Sequence, residues 1–244
     1  MRTLKLVLEY DGSNYRGWQV QGDEPTVQGV LEGALASVVG EHVRVSGAGR
    51  TDAKVHALGQ VVSFATTSHI PCEALQRALN SLLPRDVAVC EAHDAAPDFH
   101  ARYSALGKVY EYRILNRPVR SALRLRHVWH VPQPLRLEAM EAAAAYLQGT
   151  HDFSSFRAAG SEARSSQRTL REVRIAREAE EIVLRFAGDG FLRHMVRNIV
   201  GTLVEVGRGA RAPGDSKRIL EARDRRLAGM TAPPQGLYLI RVLY

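Results

Sequence analysis

The order of strand-like and helix-like segments constrains the fold of this chain more than any other feature. Apolar side chains alternate along residues 4–10, which predicts a strand with one face in the core. An apolar stripe of helical spacing then covers residues 27–38, with Thr26 placed to cap the helix and Gly40 to end it. In the rest of the first half we predict strands at 43–46, 60–66 and 87–93, and a helix between Pro71 and Pro84.

The second half repeats this order without repeating the sequence. Its predicted elements are strands at 108–115, 169–177, 182–187 and 237–243 and helices at 137–147, from Phe191 and from Asp215. The fold class is therefore α/β (α+β), with two ferredoxin-like or RRM-like split βαβ halves. We expect domains at 1–105 and 106–244, a mixed, largely antiparallel sheet with helices on one side, and a central cleft.

Charge is distributed unevenly along the 244 residues, which carry 33 basic and 26 acidic side chains. Residues 1–105 hold 9 basic and 12 acidic side chains (−3), and residues 106–244 hold 24 and 14 (+10). Only four of the cations are lysines, and the planar arginine fork suits phosphate oxygens. The second half is thus the candidate for contact with a polyanion, although a compositional preference for arginine explains the same counts.

Composition also bears on location. No apolar run approaches the roughly 20 residues of a membrane span, and Lys5 and Glu9 interrupt the first segment, so we expect a cytoplasmic protein without a membrane partner. Cys72 and Cys90 form no C-x-x-C pair, and we expect both to be buried thiols.

The segment from Gly47 to Ala57 has the composition of a chemically active loop. It reads G-A-G-R-T-D-A-K-V-H-A, and small residues on both sides of Arg50 and Asp52 let the backbone approach a bound group closely. A purely structural turn, in which Asp52 caps the loop or pairs with Arg50, remains an alternative.

Other chemistries find less support in the pattern. The loop lacks the third glycine of a dinucleotide motif, and the chain has no GxxxxGK[ST] phosphate loop. It also has neither H-E-x-x-H nor the paired cysteines of a zinc site. The pattern therefore supports neither a dinucleotide fold nor a phosphate loop, and it gives little support to a metal site.

Two segments of the second half add aromatic rings and cations. The strand pattern at 108–113 places Lys108, Tyr110 and Tyr112 on one face, which suits either base stacking or simple burial. In the predicted helix after Gly190, Arg197 lies among apolar residues, and partial desolvation of a cation favours a carboxylate or phosphate partner.

Taken together, these segments resemble the tRNA pseudouridine synthase I (TruA) family over the length of the chain. Five motifs carry the resemblance in order: G-A-G-R-T-D-A-K-V-H-A at 47–57, K-V-Y-E-Y at 108–112, H-D-F-S-S-F at 151–156 with Arg168-Thr169, G-D-G-F-L-R-H-M-V-R-N-I-V-G at 188–201, and A-P-P-Q-G-L-Y at 232–238. The resemblance implies a cofactor-free isomerase that converts uridine to pseudouridine at positions 38, 39 and 40 of the tRNA anticodon stem-loop. It also implies a homodimer and an RNA-binding role for the cleft.

The resemblance further implies roles for individual residues. Asp52 is the expected catalytic nucleophile, toward either the ribose or the uracil, although a role as a base at the ribose stays open. Arg50 is expected to hold the flipped nucleotide, Tyr110 to stack on the displaced uracil, and Leu237 to form the opposite wall. Arg197 is the candidate cation that keeps Asp52 ionised.

Lys54 departs from the family pattern, which usually has glycine at this position. If the position requires a positive φ, lysine is strained there by about 1 kcal/mol. If the backbone is ordinary, Lys54 is free either to contact a phosphate or to favour the charged form of Asp52, and we expect the phosphate contact.

Overall fold

The computed structural model describes residues 1–160 and 165–244. Within these residues the chain forms ten strands and five α-helices, grouped in two compact units: Met1–Leu106 with Tyr238–Tyr244, and Gly107–Leu237. The strands are β1 Arg2–Tyr10, β2 Ser46–Gly47, β3 His56–Thr66, β4 Val87–Ala95, β5 Gly107–Leu115, β6 Trp129–His130, β7 Gly149–Asp152, β8 Gln167–Glu178, β9 Glu181–Gly188 and β10 Leu237–Leu243. The helices are α1 Val27–Val39, α2 Cys72–Leu82, α3 Leu137–Ala145, α4 Met195–Gly207 and α5 Asp215–Ala222.

The first unit has the strand order β4-β1-β3, with β2 pairing the far edge of β3, and all of these pairs are antiparallel. This is the predicted split βαβ arrangement. Strand β10 runs parallel to the start of β3, where Tyr238 faces His56 and Leu239 faces Ala57. The apolar side chains on one face of β1 are buried, which confirms the alternation in the sequence.

Helix α1 ends where the sequence predicts it. The Thr26 side chain accepts a hydrogen bond from the Gly29 amide, and Gly40 is left-handed with φ of 73°. Helix α1 contacts α2, which packs against β4. The apolar stripe of α1 therefore contributes to the core of the first unit.

The second unit contains an antiparallel sheet of order β5-β9-β8-β7, with β6 parallel to β5. Helix α3 packs against β8 and α4. The chain is thus of the predicted mixed α/β class with mainly antiparallel pairing. Among the helices of the described ranges, none is both long and apolar enough to cross a membrane.

Three local predictions were wrong. The helix expected from Phe191 begins at Met195, because His194 is left-handed (φ 61°) and cannot continue a right-handed helix. The strand expected at 43–46 is reduced to the two residues of β2. Cys72 is only partly buried, and Cys90 is exposed because it lies on the outward face of β4, between buried Val89 and exposed Glu91.

Helix α4 approaches the segment before β10 more closely than any side chain allows. A Cβ atom on Gly201 would lie 1.7 Å from the Met230 carbonyl oxygen. The same approach is held by backbone and side-chain hydrogen bonds between Arg197 and Ala232. Glycine at this position therefore sets the spacing between the helix and the segment.

Gly201→Ala should lower the free energy of unfolding by about 1–3 kcal/mol or more, because helix and segment must separate to admit the methyl group. Gly33→Ala is the matched control: Gly33 lies in α1 with open space around it, and alanine there should stabilise by up to about 1 kcal/mol. Urea unfolding of both variants measures the difference. Equal effects in the two variants would contradict the close-approach account.

Candidate active site

The loop predicted to carry the catalytic residue Asp52 consists of residues 48–55 and joins β2 to β3 in the first unit. Asp52 is partly buried, whereas Arg50 and Lys54 are exposed. All three residues were expected at the site, and the structure places them on one short loop of irregular backbone. An aspartate so placed can be reached from solvent while remaining fixed by its surroundings.

Strand β3 holds the start of this loop. The Ala48 amide donates to the Val61 carbonyl over 2.8 Å, and the Gln60 side-chain amide donates to the Gly49 carbonyl over 2.7 Å. Within the loop, the Val55 amide donates to the Asp52 carbonyl over 3.2 Å and closes a turn before β3 begins. The backbone that carries Asp52 is therefore tied to a strand whose residues are mostly buried.

Thr51 connects the loop to Tyr10 and Trp18 by hydrogen bonds. Its hydroxyl shares a hydrogen bond of 2.8 Å with the buried Tyr10 hydroxyl, and its carbonyl accepts the Trp18 amide over 3.0 Å. Burial raises the pKa of Tyr10 to about 12, against the opposing effect of hydrogen bonds from Thr51 and Gln60. The Tyr10 hydroxyl is therefore a protonated structural group at neutral pH.

Two glycines before α1 let the backbone touch the loop. A Cβ atom on Gly12 would lie 2.0 Å from the Val55 carbonyl oxygen, and one on Gly17 would lie 2.7 Å from the Thr51 carbonyl oxygen. Gly17 also has φ of 103°, which other residues rarely adopt. The sequence pattern did not predict this support, for which the pair of glycines in the segment after β1 was the available signal.

His56, at the start of β3, closes the loop. Its ring is 2% exposed and stacks on Tyr238 with centroids 4.7 Å apart and planes at 23°. Its Nδ1 lies 3.1 Å from the Gly12 amide nitrogen and 3.0 Å from Asp11 Oδ1, and only one of these contacts is a hydrogen bond in a given protonation state.

The backbone at Lys54 decides between the two expectations for that residue. Its φ is 64°, so the position is left-handed and the expectation of an ordinary backbone was wrong. The Lys54 amide still donates to the Tyr15 carbonyl over 3.2 Å, which holds the turn in place. Glycine, which the resemblance leads us to expect here, would adopt this conformation freely, whereas lysine carries its strain. The exposed ammonium remains available to a phosphate.

In the second unit, Tyr110 lies on β5 opposite Phe186 of β9. The residue is 7% exposed, and its ring meets Phe191 edge-on at 5.0 Å and 75°. Phe191 lies in the turn before α4 rather than in the helix. The tyrosine ring is thus held by packing, with a small part of its surface open.

Arg197 lies in the first turn of α4 and is partly buried. Its Nε donates to the Ala232 carbonyl over 2.8 Å. Burial raises the pKa of Tyr112, and the charge of Arg197 lowers it by a smaller amount. Leu237, at the start of β10, is 6% exposed. Tyr110, Arg197 and Leu237 are the three predicted site residues that belong to the second unit.

Comparison with known proteins identifies the family. The family described as tRNA pseudouridine synthase matches residues 6–104 and 143–244. A tRNA pseudouridine synthase A of Acetivibrio thermocellus is 49% identical over 244 residues, and one of Moorella thermoacetica is 52% identical over 246 residues; each alignment covers all of both chains. A Myxococcus xanthus protein of the same name is 48% identical over all of this chain and 92% of its own length. The chain belongs to the tRNA pseudouridine synthase family.

Substitutions of Lys54 separate backbone strain from side-chain charge. Lys54→Gly should raise the free energy of unfolding by up to about 1 kcal/mol relative to Lys54→Ala, because only glycine adopts φ of 64° without strain. Thermal or urea unfolding of the two variants is the measurement. An alanine variant as stable as the glycine variant would show that the turn stores no strain.

Proposed function

We propose that this protein isomerises uridine to pseudouridine in the anticodon stem-loop of tRNA. Membership of the tRNA pseudouridine synthase family and full-length similarity to relatives named tRNA pseudouridine synthase A support the reaction. The observation that carries the assignment to this site is the partly buried Asp52, held on a loop tied to β3. By the resemblance of its motifs, the target uridines are those at positions 38, 39 and 40.

The reaction exchanges one glycosidic bond for another. The bond between uracil N1 and ribose C1′ breaks, the base turns while held, and a bond between C5 and C1′ forms. N1 takes up a proton and C5 releases one to solvent, so no electrons are exchanged and no redox cofactor is needed. A carboxylate near the ribose serves this chemistry as a nucleophile, and a role as a base at the ribose remains a second possibility for Asp52.

The remaining loop residues are assigned to binding. Arg50 is exposed and lies two residues before Asp52 in the same loop, where its guanidinium can reach the RNA and hold the flipped nucleotide. Lys54 is exposed on the same loop, and we assign its ammonium to a phosphate. Backbone hydrogen bonds at Thr51 and Lys54 hold the backbone between the two cations in place.

The second unit contributes an aromatic ring, an apolar wall and a cation by this proposal. Tyr110 stacks on the displaced uracil, which offsets part of the few kcal/mol that unstacking costs. Leu237 forms the apolar wall, and Arg197 supplies positive charge to the substrate site. The net charge of +10 on residues 106–244 supports contact with the RNA backbone in this half of the chain.

We also propose that the protein is a cytoplasmic homodimer that needs no metal ion. The location follows from the tRNA substrate. The dimer is suggested by the resemblance of the motifs to those of the family. Sedimentation of the purified chain, whose mass is 27.0 kDa, distinguishes monomer from dimer directly.

Asp52→Asn should lower the rate of pseudouridine formation by at least about 1000-fold while tRNA still binds, because the amide keeps the shape of the carboxylate without its charge. Release of tritium from uridine labelled at C5 measures the reaction. Filter binding measures affinity for tRNA.

Asp23→Asn is the matched control for this change. Asp23 is an exposed aspartate of the same unit and lies outside the 48–55 loop in the sequence, and its amide variant should turn over normally. Turnover by Asp52→Asn at the rate of the control would refute the proposed function.

Tyr110→Phe should retain the rate within about threefold, since the stacking ring is kept, whereas Tyr110→Leu should lower it by about 5- to 100-fold. Alanine is a poor choice, because Tyr110 is 7% exposed and a cavity there costs about 3–5 kcal/mol. Rates are compared after thermal unfolding confirms that both variants are folded. An equal loss in both would assign the role to the hydroxyl group instead of the ring.

A further inference from the structure

A short turn at residues 100–104 of the first unit presents an aromatic ring to solvent. Tyr103 is 78% exposed, which is unusual for a large ring that could be buried. Its ring lies 4.4 Å from the His100 ring at 35°, and the Arg102 guanidinium carbon lies 5.8 Å from the Tyr103 ring centroid. The ring is therefore supported by an imidazole, accompanied by a cation, and otherwise open.

The backbone of this turn is rigidly held. His100 Nδ1 accepts the amide hydrogens of Arg102 and Tyr103, over 3.1 and 3.3 Å. The Ser104 amide donates to the His100 carbonyl over 2.9 Å, and the Ser104 hydroxyl accepts the His100 amide over 3.1 Å. With four hydrogen bonds inside five residues, little conformational freedom is left for the turn to lose when a ligand binds.

Ala101 anchors the turn to the core of the unit. It is fully buried, its amide donates to the Ser63 hydroxyl over 2.9 Å, and its carbonyl accepts the Tyr244 hydroxyl over 2.7 Å. The Tyr103 ring is exposed although its neighbour is anchored in the core. Its exposure is thus a property of a well-ordered turn and not of a frayed end.

The same core cluster connects the turn to the loop of Asp52. Ala48, Val61 and Ala101 form one group of buried residues, and Ala48 begins the 48–55 loop. Arg50 follows Ala48 by two residues, and Tyr103 follows Ala101 by two residues. Two residues of backbone span at most about 7 Å, so neither side chain can begin farther than that from the shared cluster. The loop and the turn are therefore neighbours in the first unit, and we take them to lie within reach of one stretch of RNA.

We propose that Tyr103 is a stacking platform for a base of the RNA that neighbours the target uridine, with Arg102 beside it. This inference rests on the proposed function, because it takes RNA as the substrate. An open ring next to a guanidinium is the pair of groups that stacks on bases of any sequence. A base is favoured over a protein side chain because the turn offers one flat ring and a cation, while an apolar partner would require a contiguous apolar surface.

The test measures affinity for an anticodon stem-loop RNA at fixed salt concentration. Tyr103→Ala should weaken binding by about 5- to 100-fold, and Tyr103→Phe should bind within about twofold of the unmodified protein. Tyr146→Ala is the matched control: this tyrosine is also exposed (43%) and lies at the end of α3 in the second unit. The control should leave the affinity unchanged.

A second measurement locates the contact. A photoreactive p-azidophenylalanine in place of Tyr103 should cross-link to the RNA on irradiation, and one in place of Tyr146 should not. Affinity of Tyr103→Ala within twofold of the unmodified protein would overturn the proposal. An equal loss of affinity in Tyr103→Phe would also overturn it. A change in the sedimentation mass of Tyr103→Ala without a change in affinity would overturn it too, because the ring would then contact a second copy of this chain.

The experiments distinguish an error in the proposed role of Tyr103 from an error in the proposed function. If the unmodified protein binds and converts the RNA while Tyr103→Ala binds it equally well, only the role of Tyr103 is refuted. If the unmodified protein releases no tritium from labelled RNA, the proposed function is refuted.

Discussion

The close approach of two glycines to the Asp52 loop is the constraint on which the site in the first unit depends. Gly12 and Gly17 lie where any side chain would collide with the carbonyl groups of Val55 and Thr51. Hydrogen bonds to β3 fix the loop from the other side. A carboxylate that must keep its position near a reacting sugar gains from this arrangement, since little reorganisation is needed when substrate binds.

In the second unit, one buried side-chain amide joins several segments by hydrogen bonds. Asn198 of α4 is fully buried; its Nδ2 donates to the Phe156 carbonyl, and its Oδ1 accepts hydrogen bonds from Arg225 and Thr231. Two motifs far apart in the sequence thus meet at one side chain. Their co-occurrence has a structural cause, because a buried amide must satisfy both of its ends.

The sequence predicted those features that depend on nearby residues. Helix α1 with its cap at Thr26 and its end at Gly40 follows from local pattern, as do the one-sided burial of β1 and the position of the loop. The support of the loop by Gly17 depends on a contact with Thr51 that is distant in the chain, and no local pattern announced the left-handed backbone of His194 or the exposure of Cys90. The roles of the site residues remain predictions, because they concern a substrate.

The dependence of the loop on Gly17 has a consequence for reading genetic variation in this family. Gly17 carries no reactive atom and lies far from Asp52 in the sequence, yet a side chain there would collide with the Thr51 carbonyl next to Asp52 and displace the loop. A loss-of-function allele in this chain is therefore poor evidence that the altered residue takes part in chemistry.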